Sequence, residues 1–445
     1  MGRVRTGWSC IGLVLLGSLL LEKPLCQGLT ASSQAETVAT NTLTLAHAES
    51  IAIANQPRIL AAQLRARASE QRIREIRSAL LPTAGFSATG VRVADTGTST
   101  AAGNITTSSI SDRFAYGGNL VQMVTDFGRT NALVETERSL AEAQKEEATF
   151  TGARSRLDVY RAYFQVIGAE AVLHAAREAQ ANRQLISKQI DALAQSQLRS
   201  TLDVNFANVL ESEAELAVVR AESAVQQQRV HLASAMGAIQ PITAPLVDEP
   251  LPPALPPDAE SYLAQALKQR ADLSAVTSRE HAAERFAIAE KRLSYPTLNV
   301  LGSAGEIPFH DHTLHGDYAA VGFNLNIPVF NGGLFAARHS EAELEAVARR
   351  KDVDEAKIEI NEQVRDTWYQ ANEAYRSLDV TTRLVTQSKE ALRLAQARYE
   401  AGLGSIVELN EAQLSETSAE ITAAGAKYDY LSRRAELDYA AGLLN

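Results

Sequence analysis

Residues 318–329 read Tyr-Ala-Ala-Val-Gly-Phe-Asn-Leu-Asn-Ile-Pro-Val. In an extended chain Val321, Phe323, Leu325, Ile327 and Val329 share one face, and Gly322, Asn324 and Asn326 share the other. Alternation alone also describes a half-buried strand in water. Length and context favour lipid. A run of about nine to twelve residues crosses a bilayer when tilted. The run is also followed, after Asn331-Gly332-Gly333, by a proline-free helical stretch that begins at Leu334.

The same text occurs earlier in the chain. Asp126, Ser200 and Asp203 return 205 residues later as Asn331, Ser405 and Glu408, whereas Pro82 returns 214 residues later as Pro296. A period this long is a duplicated half, not a solenoid repeat. The two offsets differ by nine residues, which places nine extra residues in the first loop between strands. Residues 1–28 read as a signal peptide, 43–236 as the first structural repeat, 237–258 as a Pro-rich linker and 259–445 as the second repeat. The linker holds seven of the thirteen prolines, which suits a non-helical belt between halves.

Each half reads helix, strand, loop, strand, very long helix, tip, shorter helix. The first expects a helix over 43–81 stopped by Pro82, strands at Thr83–Val93 and Arg113–Val124, and a turn at Asp126-Phe127-Gly128-Arg129 with Asp126 as helix N-cap. A helix from Thr130 to Gln197 follows. Its positions Phe150, Ala153, Leu157, Tyr160, Phe164, Ile167 and Ala171 alternate steps of three and four, as in a coiled-coil seam. The second long helix carries Ile360, Val364, Ala371, Ala374, Leu378, Val385, Leu392, Ala395 and Tyr399. Each would be about 100 Å long, a length that suits a rod or the wall of a tube. The shorter helices, 43–81 with Val204–Met236 and Glu260–Leu293 with Ile406–Ala441, match the long ones when laid end to end. Their junctions, the linker and the termini are expected at the midpoint.

Composition excludes several classes. Acids outnumber bases 53 to 43, so a basic nucleic-acid footprint is absent. Arg3 and Arg5 precede an apolar run from Ile11 to Leu21 that is too short to span a bilayer. Cleavage after Gly28 would remove Cys10 and Cys26, leaving no disulfide chemistry; lipidation of Cys26 is the alternative, although Lys23-Pro24-Leu25 matches a lipidation box poorly. No phosphate loop, zinc-binding helix motif or nucleophile elbow occurs, so no enzyme, cofactor or resident metal is expected. His310-Asp311-His312 with His315 has the density of a metal site but falls in a polar loop, and a solvated loop is the plainer reading. His174 lies on the seam, where a packed histidine is expected. Strands in lipid must close into a barrel. Single-chain barrels start at about eight strands, so four strands must be pooled between copies; two copies would give eight and three would give twelve.

Several segments resemble the TolC family of outer-membrane efflux and secretion channels. They are Leu43-Thr44-Leu45-Ala46-His47-Ala48 with Ala54-Asn55-Gln56-Pro57, then Leu80-Leu81-Pro82-Thr83, then Thr125-Asp126-Phe127-Gly128-Arg129 with Ile327-Pro328-Val329-Phe330-Asn331-Gly332-Gly333, and finally Arg398-Tyr399-Glu400-Ala401-Gly402-Leu403-Gly404-Ser405. The resemblance implies an α+β membrane protein of the outer membrane. Its long helices would form a periplasmic α-barrel, and four strands per chain would contribute to a twelve-stranded barrel shared by a homotrimer. It implies outer-membrane lipid, a periplasmic adaptor and an inner-membrane ABC or proton-driven transporter as partners. Glu408 and Glu411 match the family's acidic positions at the periplasmic mouth; the first half offers Asp203, with Phe206 opposite Glu411. A ring of such carboxylates would favour cations. Ser405-x-x-Glu408 and Ser200-x-x-Asp203 also read as capping boxes. Gly402, Leu403, Gly404 and Ser405, with Leu198 and Ser200 at the other tip, are the expected adaptor contact, and Asp126, Gly128, Asn331 and Gly333 the strand-to-helix turns. Two departures stand out: Gln197-Leu198-Arg199-Ser200 lacks the glycines of the second tip, and Leu334 replaces the arginine found at Arg129. The rival class is a periplasmic coiled-coil adaptor, which would not need two pairs of barrel-length strands.

Overall fold

The computed structural model describes residues 42–91, 113–309 and 316–445. The proposed signal peptide, Cys10 and Cys26, the first strand loop and the 310–315 histidine cluster lie outside them. Among the described residues are α1 (Leu45–Asn55), α2 (Pro57–Arg77), β1 (Thr83–Val91), β2 (Arg113–Thr125), α3 (Arg129–Gln195) and α4 (Thr201–Ala235). The second half gives α5 (Glu260–Gln269), α6 (Ala271–Lys291), β3 (Thr297–Phe309), β4 (Asp317–Asn326), α7 (Leu334–Glu400) and α8 (Ile406–Ala440). Both long helices have 67 residues. No helix of the described residues is long and apolar enough to cross a membrane.

The four strands form one antiparallel sheet in the order β1-β2-β3-β4. The register sorts its side chains into two faces. Phe86, Leu120, Val300, Val321, Phe323 and Leu325 lie on one; Ser87, Thr89, Asn119, Asn299, Ser303 and Asn324 lie on the other. The apolar face has no protein cover: Val321 is 86 % exposed and Phe323 76 %. β4 is shorter than the sequence suggested, because Ile327-Pro328-Val329 has left the ladder. Pro328 has no N–H to donate to it.

The expected helix 43–81 is broken. Gln56 is extended (ψ 115°) before Pro57, the first residue of α2. A residue before proline is pushed out of the α region, and proline suits the first helical turn. The helix expected over Glu260–Leu293 breaks at Arg270 (ψ 121°), 214 residues after Gln56 and without a proline. The Arg270 side chain accounts for it. It is buried, pairs with Asp272 at 2.6 Å, and donates to Gln363 at 3.0 Å and to the Ala440 carbonyl at 3.2 Å. Gln56 does the same in the first half, with Nε2 3.1 Å from the Ser234 carbonyl and 3.0 Å from that of Ala235. At each break, then, a side chain satisfies the orphan carbonyls at the end of a helix returning from a tip.

Those returning helices end alike. Gly237 and Gly442, 205 residues apart, both have φ +75°. In each case the following N–H bonds back five residues, from Ala238 to Ala233 at 2.8 Å and from Leu443 to Asp438 at 2.8 Å. The linker and N-terminal segment meet beside them. Leu43 pairs with Leu246 as a parallel bridge, and the buried Tyr163 hydroxyl donates to the Leu43 carbonyl at 2.8 Å. Arg156 joins α1 to the C-terminal residues, binding Glu49 at 2.9 Å and the Leu444 carbonyl at 2.7 Å. Two apolar clusters fill this equator, one around Val159, Tyr163 and Leu232, the other around Ile360, Val364 and Leu437. On the long helices Leu157, Phe164, Ile167, Val364 and Ala371 are buried as the seam requires. His174 is not; its side chain is 76 % exposed, 3.7 Å from Glu178, while Ala176 of the same turn is the one packed against Val218 and Ala221 of α4.

Gly237→Ala is expected to lower the thermal unfolding midpoint. Its Cβ would stand 3.0 Å from the backbone of Asn55 and Gln56, at a φ of +75°. The left-handed conformation alone costs a non-glycine residue about 1–2 kcal/mol. Circular dichroism melting of the variant checks this.

Candidate functional site at the helical tips

α3 and α7 end in the same motif. Leu198 N–H bonds to the Leu193 carbonyl and Leu403 N–H to that of Arg398, each at 2.9 Å. Gln197 has φ +60° where the second tip has Gly402 at +73°. The missing glycines therefore do not change the backbone: the first tip holds an ordinary residue in the left-handed region. Both turns then place a leucine at the apex, Leu198 at 69 % and Leu403 at 74 % exposure.

The helices that follow start differently. Ser200 accepts from Asp203 N–H at 3.2 Å, and the Asp203 carboxylate returns to Ser200 N–H at 3.5 Å, so the capping box is complete. Ser405 accepts from Glu408 N–H at 3.1 Å, but the Glu408 carboxylate turns to Arg398 instead, 3.1 Å from its Nε. The second box is thus half made, because an arginine is within reach of its acid. Glu411 is exposed one turn along.

The two tips are tied together by residues that sequence reading did not single out as a pair. The Arg199 guanidinium sits 4.0 Å above the Tyr399 ring and donates to the Tyr399 carbonyl at 2.6 Å. Tyr399 is buried in an apolar cluster with Ile190, Ala207, Ile406 and Leu409, which gathers α3, α4, α7 and α8. Burial first, and then the Asp203 carboxylate, push the Tyr399 hydroxyl pKa upward. Asp203 therefore faces this clamp as well as capping α4. An open cleft of about 420 Å³ lies beside it, lined by Ile186, Ile190, Leu193, Tyr399 and Leu409.

A second polar cluster lies between the equator and the tips. Buried Arg183 of α3 donates to Gln413 and, at 3.3 Å, to Thr417 on α8, while Lys389 of α7 pairs with Glu420 at 2.7 Å. Buried Glu416 stands among them. Burial and the neighbouring Glu420 carboxylate raise its pKa to about 7, against the pull of Lys389 and Arg183. Burial lowers the Arg183 pKa, opposed by Glu416 and by Glu213 of α4. No sequence signal marks this cluster, since its members come from three helices with no shared motif.

At the strand-to-helix turns the geometry again repeats. Phe127 and Gly128 have φ +54° and +88°; Gly332 and Gly333 have +67° and +84°. By backbone geometry the helix N-cap is Gly128, not Asp126. Asp126 still acts as a cap, because its buried carboxylate accepts from Gly128 N–H at 3.0 Å and from Thr130 N–H at 2.6 Å. In the second turn Leu334 N–H reaches the Asn331 carbonyl at 3.4 Å. No cluster of metal-ligating side chains occurs among the described residues.

The description "Outer membrane efflux protein" matches residues 49–238 and 262–443. The chain belongs to the outer membrane efflux protein family. It is 24 % identical over 411 residues to "Outer membrane protein TolC" of Escherichia coli, covering 85 % of this chain and 78 % of that protein. "Alkaline protease secretion protein AprF" of Pseudomonas aeruginosa is 26 % identical over 191 residues, 42 % of this chain and 40 % of that one. A crystal structure of a membrane protein from Pseudomonas aeruginosa superposes with a TM-score of 0.80 at 21 % identity, covering 89 % of this chain and 90 % of that one. The fold is that of the family's channels, a helical barrel with strands. The efflux-family chain is accordingly an outer-membrane channel that extends into the periplasm, and not an enzyme. The two matched segments leave residues 239–261 between them.

Glu416→Gln is expected to flatten part of the pH dependence of stability. A carboxyl whose folded pKa is raised binds its proton more tightly in the folded chain, so its stabilising effect is lost as pH rises from about 4.5 towards about 7. The variant should gain most over the parent at mildly alkaline pH and least in acid. Melting curves of both proteins across that range check the sign.

Proposed function

We propose that the channel is a passive homotrimeric exit duct, the outer-membrane part of a tripartite efflux or type I secretion system. The observation that carries this reading is the four-stranded sheet with both edges free. β1 and β4 each present one unpaired row of N–H and C=O groups, and the sheet's uncovered face is apolar. Such edges cannot stand in lipid. Twelve strands from three copies close the sheet, with the polar face of Asn119, Asn299 and Asn324 turned to the lumen. The helices continue the duct through the periplasm. With no nucleotide site in the sequence, energy comes from an inner-membrane ABC or proton-driven transporter, reached through a periplasmic adaptor.

At the far end Leu198 and Leu403, flanked by Ser200 and by Gly402, Gly404 and Ser405, form the adaptor contact. Two exposed leucines on matched turns favour an apolar contact repeated around the ring. Asp203, Glu408 and Glu411 set the charge at the mouth and give it a preference for cations. The Arg199–Tyr399 clamp supports a closed arrangement of the tips, since it bonds one hairpin to the other. A periplasmic adaptor, the rival reading, has no use for the sheet.

The detergent-extracted protein should have three times the mass of the mature chain by light scattering; a monomer would remove the basis of this reading. In planar bilayers the Glu408→Gln/Glu411→Gln variant should lose several-fold in cation preference. Selectivity equal to the parent's would sink the role given to these carboxylates.

A further inference from the structure

The helix break at Arg270 leaves a cleft. α6 and α8 both lie between α3 and α7, and they meet end to end where Ala271 begins one and Ala440 ends the other. An open cavity of about 580 Å³ remains at this junction, with α3 as one wall and α7 as the other. That volume is in the range of a small-molecule site. Phe150 of α3 and Tyr439 of α8 line it as an aromatic pair with ring centroids 6.1 Å apart, beside buried Leu157 and Ile360.

The charged lining is sorted by wall. Arg154 and Arg161 stand on α3, Glu359 and Asp366 on α7. These are repeat-mates, since adding 205 to Arg154 gives Glu359 and adding it to Arg161 gives Asp366. The packed positions nearby keep their character, with Val159 matched by Val364 and Tyr163 by Trp368. The packed face is therefore kept while the cleft face reverses its sign. Most of these charges are already engaged. Arg161 binds Glu436 at 2.8 Å, Arg270 binds Asp272 at 2.6 Å and Asp158 binds Arg58 at 2.7 Å. Asp366 accepts from Gln370 at 2.7 Å. The exposed side chains of Arg154 and Glu359 have no hydrogen-bond or ion-pair partner among the described residues, and they face one cavity from opposite walls.

The cleft also faces away from the linker. On α3, Arg156 and Tyr163 bind α1, the linker and the C-terminal residues. Arg154, Asp158 and Arg161 each lie two residues from one of them, about 200° around the helix. In a closed wall the extra layer of linker and α1 lies outside, because inside it would fill the duct. Resting on the exit-duct reading above, we propose that the cleft is a transient site for small zwitterions with an apolar or aromatic body, opening to the lumen. The ligand's carboxylate meets the Arg154 guanidinium, which suits paired hydrogen bonds. Its ammonium meets Glu359, and its body lies on Phe150 and Tyr439. Retention is weak, since exposed charges are screened by salt and a duct must release what it binds.

Saturation-transfer NMR on the full-length detergent-extracted protein tests this with three probes that share an indole ring: L-tryptophan, tryptamine and indole-3-acetate. Tryptophan should receive several-fold more transfer than either single-charge probe. Arg154→Gln and Glu359→Gln should each reduce it to their level, and the exchanged pair Arg154→Glu/Glu359→Arg should regain it, because the zwitterion can turn round. Equal transfer to all three probes, no loss in the single variants or no recovery in the exchange overturns the site. Planar-bilayer conductance of the same preparation separates the two readings. A parent that conducts but shows no tryptophan preference overturns the site alone. A parent that binds tryptophan but does not conduct overturns the duct, and with it the site's place in transit.

Discussion

Everything in this chain follows from the two free edges of its sheet. A backbone N–H or C=O in hydrocarbon has no water to turn to, and leaving it unpaired costs several kcal/mol. The sheet can expose an apolar face to lipid, but it cannot expose an edge. Four strands from one chain cannot close without a gap. The same incompleteness runs down the molecule, where the helical wall ends in α2 on one side and α7 on the other.

The helices solve a different problem. A 67-residue helix has a seam too long for any one shorter helix to cover. The chain lays two beside it and joins their ends at the equator. Helix ends are where carbonyls lack partners. Gln56 and Arg270 fill that need from the breaks, while Gly237 and Gly442 let the backbone turn there. The equator is therefore the level at which the linker, the C-terminal residues and the C-terminal ends of α1, α4, α5 and α8 must all be satisfied together. This is why both large apolar clusters sit at it.

Periodic features were legible in the sequence because they repeat. The seams, the alternation of β4 and the offset of 205 residues all rest on spacing. The helix break at Gln56 is signalled by Pro57 but was hidden by the apolar pattern running through it. The break at Arg270 has no local signal; it depends on Gln363 and Ala440, far away in sequence. The Arg199–Tyr399 clamp and the Arg183–Glu416 cluster were missed for the same reason. Glu408 shows the limit of motif reading from the other side. Its Ser-x-x-Glu spacing is right, yet one nearby arginine takes the carboxylate away. His174 followed the heptad but not the partner, since α4 covers that turn through Val172, Leu173 and Ala176 and leaves the histidine outside.

The duplication also shows where the halves have diverged in kind. Both non-glycine residues with positive φ among the described residues, Phe127 and Gln197, have a glycine as repeat-mate, Gly332 and Gly402. The backbone demands the left-handed region at all four places, and only the second repeat meets it without strain. About 1 kcal/mol or more is stored at each strained position. It persists only where surrounding contacts hold it. At the first tip those contacts are visible, with Arg199 two residues on, anchored to the ring and carbonyl of Tyr399. At the second tip Gly402 has open space around its Cα, and Gly404 follows. One tip is held by a bond to the other, while the other is built from residues that can leave their conformation cheaply. Conformational freedom at the tips therefore belongs to the α7–α8 hairpin, the same one that carries Glu408 and Glu411.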